Sequence, residues 1–308
     1  MRPMSAVRWL VKCGLSAVVL LLACGLATAW FGNGLQLPST TTRDGTLITL
    51  NRYAKEPIPD VVLVGSSLTF RLKEEYFATP MVRNLALAGG SPVTGLEIVA
   101  NQPRLPRIIL VEANILSRPA DTALVERYST RGNNAEPLFF RPIRTAIAAY
   151  ENWHHAPLCH AQASLALRQL LERPPSNFDN RVYADRALQQ LNAEDPTIAA
   201  KLNARRIAQL VLALEQRGAR VLLFELPYSE QIEGSRSAEV TREIVRAAIP
   251  DQNGWLHIDS TRSELRWADG VHLDERSAVI VAQSIDGALS PLLGHGNGLK
   301  EQIGQLPE

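Results

Sequence analysis

The sequence predicts an α/β domain: a three-layer α/β/α sandwich around a five-stranded parallel sheet, interrupted by a helical insertion. Three observations point there. Short apolar runs rich in Val, Ile and Leu recur along the chain and stop at glycine or polar residues, as strands buried on both faces do. Helix-like stretches separate them, the pattern of βαβ units. The 308 residues, 46% apolar and 20% charged, suffice for one large core.

The first strand is the run Asp60-Val61-Val62-Leu63-Val64-Gly65, and helix-like spacing follows over 68–77. Val82 to Leu87 is the second strand, followed by a helix from Thr94 to about Asn101. Arg107 to Glu112, entered from Pro106, is the third. Arg220 to Glu225 is the fourth; it comes just after Gly218, which suits the C-terminal cap of a helix over 196–217. Trp255 to Ile258 is a short fifth strand. Between strands three and four lies an insertion, 118–195, with helices expected over 138–153, 161–173 and 179–192, broken at Pro137 and Pro174-Pro175. Its length suggests that it walls a cleft.

Outside the domain at 58–292 the chain changes character. Arg2, Arg8 and Lys12 precede an uncharged apolar stretch from Cys13 to Phe31. As a helix, nineteen residues span roughly 28 Å, close to the hydrocarbon thickness of a bilayer. Positive charge on the N-terminal side predicts a signal anchor that leaves the rest of the chain extracytoplasmic. Two other fates lead to the same side: lipoprotein-type cleavage before Cys24, or signal cleavage after Ala27-Thr28-Ala29. Residues 32–57, with Gly32, Gly34, Pro38 and the run Thr40-Thr41-Thr42, read as a linker; 293–308 lack periodicity and read as a flexible tail.

Several function classes are excluded. A net charge of +1 without a basic run gives no electrostatic footprint for nucleic acid. Cys159 is alone in the soluble part, so no internal disulfide is expected there. His154, His155 and His160 cluster near it without an i, i+4 pair and matching carboxylate, so no metal or other cofactor is expected. Arg141 and Arg144, near Phe139 and Phe140, fit a solvated helix face over core aromatics.

Four short features carry chemistry. Gly65-Ser66-Ser67-Leu68 follows strand one, where a serine in a strand-to-helix turn exposes its hydroxyl and aims its own N–H at a developing oxyanion. Taken alone, a serine there equally suits helix capping. Asn84-Leu85-Ala86-Leu87-Ala88-Gly89 ends strand two with a glycine whose N–H can approach a ligand, or which makes an ordinary turn. Glu112-Ala113-Asn114 closes strand three with an amide able to donate to the same oxyanion, or to its own backbone. In Trp267-Ala268-Asp269-Gly270-Val271-His272-Leu273, a carboxylate three residues before an imidazole can fix its tautomer. Without the other three features it also fits a surface loop.

In this order the four features resemble the signature blocks of the SGNH/GDSL hydrolases, over about residues 58 to 292, with Gly89 five residues after Asn84. The resemblance implies a flavodoxin-like strand order and Ser67 as nucleophile. It also implies His272 as general base, Asp269 as its orienting acid, and Ser67, Gly89 and Asn114 as the oxyanion hole. The chain departs from the pattern where Ser66 stands for the usual aspartate, and where Glu112-Ala113-Asn114-Ile115 lacks the usual glycine and following aspartate. Similar divergent blocks occur in membrane-linked proteins that move acyl groups on bacterial envelope or secreted polysaccharides. The implied activity is therefore cleavage or transfer of acyl esters, acetyl foremost, on carbohydrate at the periplasmic side of the inner membrane. Two alternatives stand beside it. One is a polysaccharide O-acetyltransferase fed by a membrane acyl-donor protein; the other is a non-catalytic, membrane-anchored glycan-binding component.

Overall fold

A computed structural model of the chain describes residues 3–31, 42–129, 150 and 160–294. The apolar N-terminal stretch forms one helix, α1 (Pro3–Phe31). Its 18-residue window Ala6–Ala23 has a mean hydropathy of 1.8, and none of that window is buried. At about 1.5 Å per residue the helix is long enough to cross a bilayer. It is compatible with a membrane anchor or a signal sequence.

The sheet is built from β1 (Val61–Val64), β2 (Val82–Asn84), β3 (Ile108–Glu112) and β4 (Arg220–Phe224). All pairs are parallel and the order is β2-β1-β3-β4. Val61 faces Val82 on one side and Ile108 on the other, and Ile108 faces Arg220. The fifth strand expected at 255–258 is reduced to one parallel bridge, Trp255 beside Leu223, with the Leu256 N–H donating to the Leu223 carbonyl at 2.7 Å. A 3-10 turn, Gln252–Gly254, delivers the chain to the sheet edge. The Trp255 indole is then held by the Ile249 carbonyl and stacked under the Arg246 guanidinium at 3.5 Å. Exposed His257 follows, and pairing stops after one bridge. The sheet therefore has four strands.

Side chains alternate between two cores, as the period of two requires. Val62, Val64, Ile109, Val111, Val221 and Leu223 join α2 (Thr42–Lys55), α3 (Pro92–Ala100), α4 (Thr122–Tyr128) and α7 (Thr197–Gln216) on one face. Val61, Leu63, Ile108, Leu110, Leu222 and Phe224 join α5 (His160–Glu172), α6 (Arg181–Ala193) and α10 (Glu275–Leu293) on the other. A short turn, α8 (Glu230–Glu233), leads into α9 (Arg236–Ala248), which gives Val245 to the first core and Ala238 to the second. Each fully buried aliphatic side chain contributes about 1.5–3 kcal/mol, so the doubly covered strands anchor the fold.

Two further expectations need correction. Within the stretch read as linker, 42–55 is helix α2, and Leu50, Tyr53 and Ala54 pack into the core. Their i, i+3, i+4 spacing is the signal that the nearby threonine run obscured. The stretch 68–77 forms two 3-10 turns, Thr69–Arg71 and Glu74–Tyr76, in place of one helix. The Asn84 amide braces this stretch, donating to the carbonyls of Thr69 and Leu72, both at 2.7 Å. The Thr69 carbonyl also accepts the Leu72 N–H at 2.9 Å, the bond of a 3-10 turn. The helices expected at 161–173, 179–192 and 196–217 appear at 160–172, 181–193 and 197–216. Nearly all of the helix expected at 138–153 lies outside the described residues, as do Phe139, Phe140, Arg141, Arg144, His154, His155, Cys159 and the tail beyond 294.

Candidate active site

The carboxyl ends of β1, β3 and β4 bring together residues distant in sequence, the location at which open α/β sheets bind ligands. After Val64 the chain turns through Gly65 and Ser66, both buried, and half-buried Ser67 is presented at the surface of the turn. A Cβ on Gly65 would lie 2.3 Å from Thr69 Oγ1 and 2.6 Å from Glu112 Oε2. Glycine is required there by close approach, not by its torsion angle.

The Asp269–His272 segment is the tip of a hairpin. Trp267 bridges Leu273 antiparallel, the Ala268 N–H donates to the His272 carbonyl at 2.8 Å, and the Asp274 N–H to the Arg266 carbonyl at 3.0 Å. Gly270 takes φ +84°, and a Cβ there would meet the Ala184 Cβ of α6 at 3.0 Å. The Asn180 amide donates to the Trp267 carbonyl at 2.6 Å, and the Trp267 indole N–H to the Pro227 carbonyl at 3.0 Å. The hairpin is thus fastened both to α6 and to the segment leaving β4.

Three side chains then line up. Asp269 Oδ2 lies 2.7 Å from His272 Nδ1, and His272 Nε2 lies 2.9 Å from Ser67 Oγ. Asp269 Oδ1 accepts the N–H groups of His272 at 2.7 Å and Val271 at 3.0 Å. A carboxylate only accepts, so Nδ1 carries the ring proton and Nε2 is left to accept from the Ser67 hydroxyl. Burial pushes the Asp269 carboxyl up, but the hydrogen bonds from the His272 ring and backbone outweigh it and lower the pKa from 3.8 to about 2. A depressed carboxyl stabilises the fold fully above its unfolded pKa, and the contribution disappears as pH falls through the folded value. Between about pH 4 and pH 2, Asp269→Asn is therefore expected to flatten the acid-unfolding curve, followed by far-UV circular dichroism.

These residues open onto a cleft of about 590 Å³. Asn114, Tyr228 and Val271 surround Ser67, and Ala187, Gln190 and Leu191 of α6 form the opposite wall. The described part of the insertion therefore does line the cleft. The larger depression, about 710 Å³, lies on the far side of the hairpin against Phe178, Arg262 and Trp267 and contains none of the three aligned side chains.

Asn114 is fixed by a reciprocal pair with Leu226: its Nδ2 donates to the carbonyl at 2.9 Å, and its Oδ1 accepts the N–H at 2.7 Å. The Asn114 side chain also hydrogen-bonds the Tyr228 hydroxyl. Gly89 has φ +77° in the turn after β2, and a Cβ there would face Thr42 of α2 at 3.5 Å. The structure thus brings Ser67, Asp269, His272 and Asn114 to one cleft.

No protein-family model matches this chain, and a search of curated proteins found no relative.

Two residues at the site were not singled out as functional in the sequence. Tyr228 follows β4 and is buried beside Asn114; burial, reinforced by the Glu112 charge, pushes its hydroxyl pKa well up, so it stays protonated. Glu112, noted in the sequence only as a departure from the family pattern, lies wholly buried beneath the serine turn. A carboxylate closing a continuous apolar run in a central strand was the available clue.

Proposed function

We propose that this chain is a membrane-tethered serine esterase or acyltransferase of the SGNH type, acting on acyl esters of carbohydrate on the extracytoplasmic side. The single observation that carries this is the continuous contact from Asp269 through His272 to Ser67, with bonds of 2.7 and 2.9 Å. Supporting it, the strand order 2-1-3-4 is that of a flavodoxin-like sheet lacking its last strand.

In the proposed cycle Ser67 Oγ attacks the ester carbonyl carbon as His272 Nε2 takes its proton. The resulting oxyanion is held by the Ser67 N–H and by the Asn114 N–H that turns to it from the Tyr228 hydroxyl. The carbon–oxygen bond to the leaving alcohol breaks, and the imidazolium returns its proton to that alcohol. Water or a sugar hydroxyl then attacks the acyl-serine, giving its proton to His272, which hands it back to Ser67. Asp269 keeps Nδ1 protonated throughout.

The cleft favours a carbohydrate over a bare acetyl ester. Gln190, Glu194, Asp195, Ser237 and Thr241 also line it, offering hydrogen-bond partners for sugar hydroxyls. Two measurements test the proposal. A fluorophosphonate probe should label the full-length protein at Ser67; absence of labelling would favour a glycan-binding component. Mass analysis of an acceptor glycan incubated with an acyl donor separates the two activities: net acetyl gain identifies a transferase, and net loss an esterase.

A further inference from the structure

Glu112 ends the central strand β3 with no solvent exposure at all. Four donors converge on its two oxygens. The Ser66 hydroxyl donates to Oε1 at 2.7 Å. The Ser66 N–H at 2.8 Å, the Thr69 hydroxyl at 2.6 Å and the Thr69 N–H at 3.3 Å donate to Oε2. A buried carboxylate is tolerated only with such compensation, and nothing in the proposed proton transfers uses it.

The two residues it binds stand on either side of Ser67 in the turn. Their N–H groups and hydroxyls all point inward to one carboxylate, while Ser67 makes no bond to it and reaches outward to His272. The same inward pull withdraws the Ser66 and Thr69 N–H groups from any helical partner. Ser67 N–H is left without an acceptor among the described residues, as an oxyanion donor must be. Gly65 completes the device, since a Cβ there would come within 2.6 Å of Glu112 Oε2.

We propose that Glu112 is the positioning residue of the nucleophile turn: its buried carboxylate clamps residues 66 and 69 and thereby sets the aim of the Ser67 hydroxyl and N–H. This rests on the acyl-transfer function proposed above. It assigns a task to a side chain that the chemistry itself leaves idle, and links it to Ser66. The Ser66 hydroxyl also accepts the Leu68 N–H at 3.2 Å, so it relays the carboxylate into the turn.

The test compares Glu112→Gln with wild type on 4-nitrophenyl acetate and by the rate of fluorophosphonate labelling at Ser67. Gln keeps the shape but turns an N–H₂ toward groups that now donate. Misaiming by a fraction of an ångström is expected to lower kcat and the labelling rate together by about ten- to a hundredfold, with KM within about twofold. A merely structural role would reduce active protein without that split. Adding Ser66→Asp to Glu112→Gln moves the carboxylate across the 2.7 Å bond, where it can accept the Leu68 N–H and the new amide. This double variant should raise kcat at least about threefold above Glu112→Gln alone.

If Glu112→Gln fails to fold, Thr69→Val removes one donor and keeps the charge, and the same kcat-only loss of about three- to tenfold is expected. A folded Glu112→Gln, or Thr69→Val in its place, that labels at the wild-type rate overturns the positioning role while leaving the proposed function intact. A wild-type protein not labelled at Ser67 removes both.

Discussion

Ser67→Ala is expected to lower turnover of 4-nitrophenyl acetate by at least about a thousandfold and to abolish fluorophosphonate labelling. The fold should survive. Ser67 Oγ bonds only the His272 ring, whereas the turn around it is held by Glu112 and by the Asn84 amide on the Thr69 and Leu72 carbonyls. Loss of one half-buried hydroxyl costs about 1 kcal/mol of stability or less. The urea midpoint should accordingly stay close to wild type while activity vanishes. Turnover equal to wild type in the folded variant would remove Ser67 from the mechanism.

Asp269→Asn carries the second large effect. The replacement keeps an oxygen for the N–H groups of Val271 and His272, so the hairpin should persist. What changes is the partner of Nδ1. An amide N–H₂ facing Nδ1 at 2.7 Å makes that nitrogen the acceptor and moves the ring proton to Nε2, opposite Ser67 Oγ. The imidazole then has no lone pair for the serine proton, and the imidazolium formed in the transition state loses its counter-charge. A fall in kcat of about ten-thousandfold is expected, with KM nearly unchanged. Steady-state kinetics with a crystal or NMR check of the hairpin would decide it. A variant within tenfold of wild type would show that Asp269 does not orient the base.

The two variants separate roles that the geometry joins. Ser67→Ala removes the group to which the acyl chain would be attached, so no acyl-enzyme accumulates. Asp269→Asn leaves that group in place but unactivated, so slow labelling by a reactive probe should remain. Read together, they distinguish a serine nucleophile from a serine that only binds.

Much of the architecture was legible in the residues. Continuous runs such as Val61–Val64 and Ile108–Glu112 can be buried on both faces only in a covered parallel sheet, and helices α5, α6 and α7 appear within two residues of their expected limits. Misreadings came where a tertiary partner overrode a local pattern. The stretch expected as a helix at 68–77 is two 3-10 turns braced by the Asn84 amide. Strand-like spacing at 255–258 yielded one bridge, because Trp255 is held from outside the sheet by Arg246 and Ile249. Helix α2 was hidden by flanking glycines and threonines, although Leu50, Tyr53 and Ala54 carried its period.

The sequence by itself determined which chemical groups are available and the strand end or loop that carries each, because glycine, strand periodicity and short Asp-x-x-His spacing act over a few residues. Only the tertiary structure decided which of them meet. Ser67 and His272 come within 2.9 Å because β1 and the hairpin are fastened to a common sheet edge, and Asn114 joins them from the end of β3. The buried Glu112 beneath the turn belongs to the same category. Its value depends on four donors converging in space, and the spacing of residues 66, 69 and 112 along the chain does not encode that convergence.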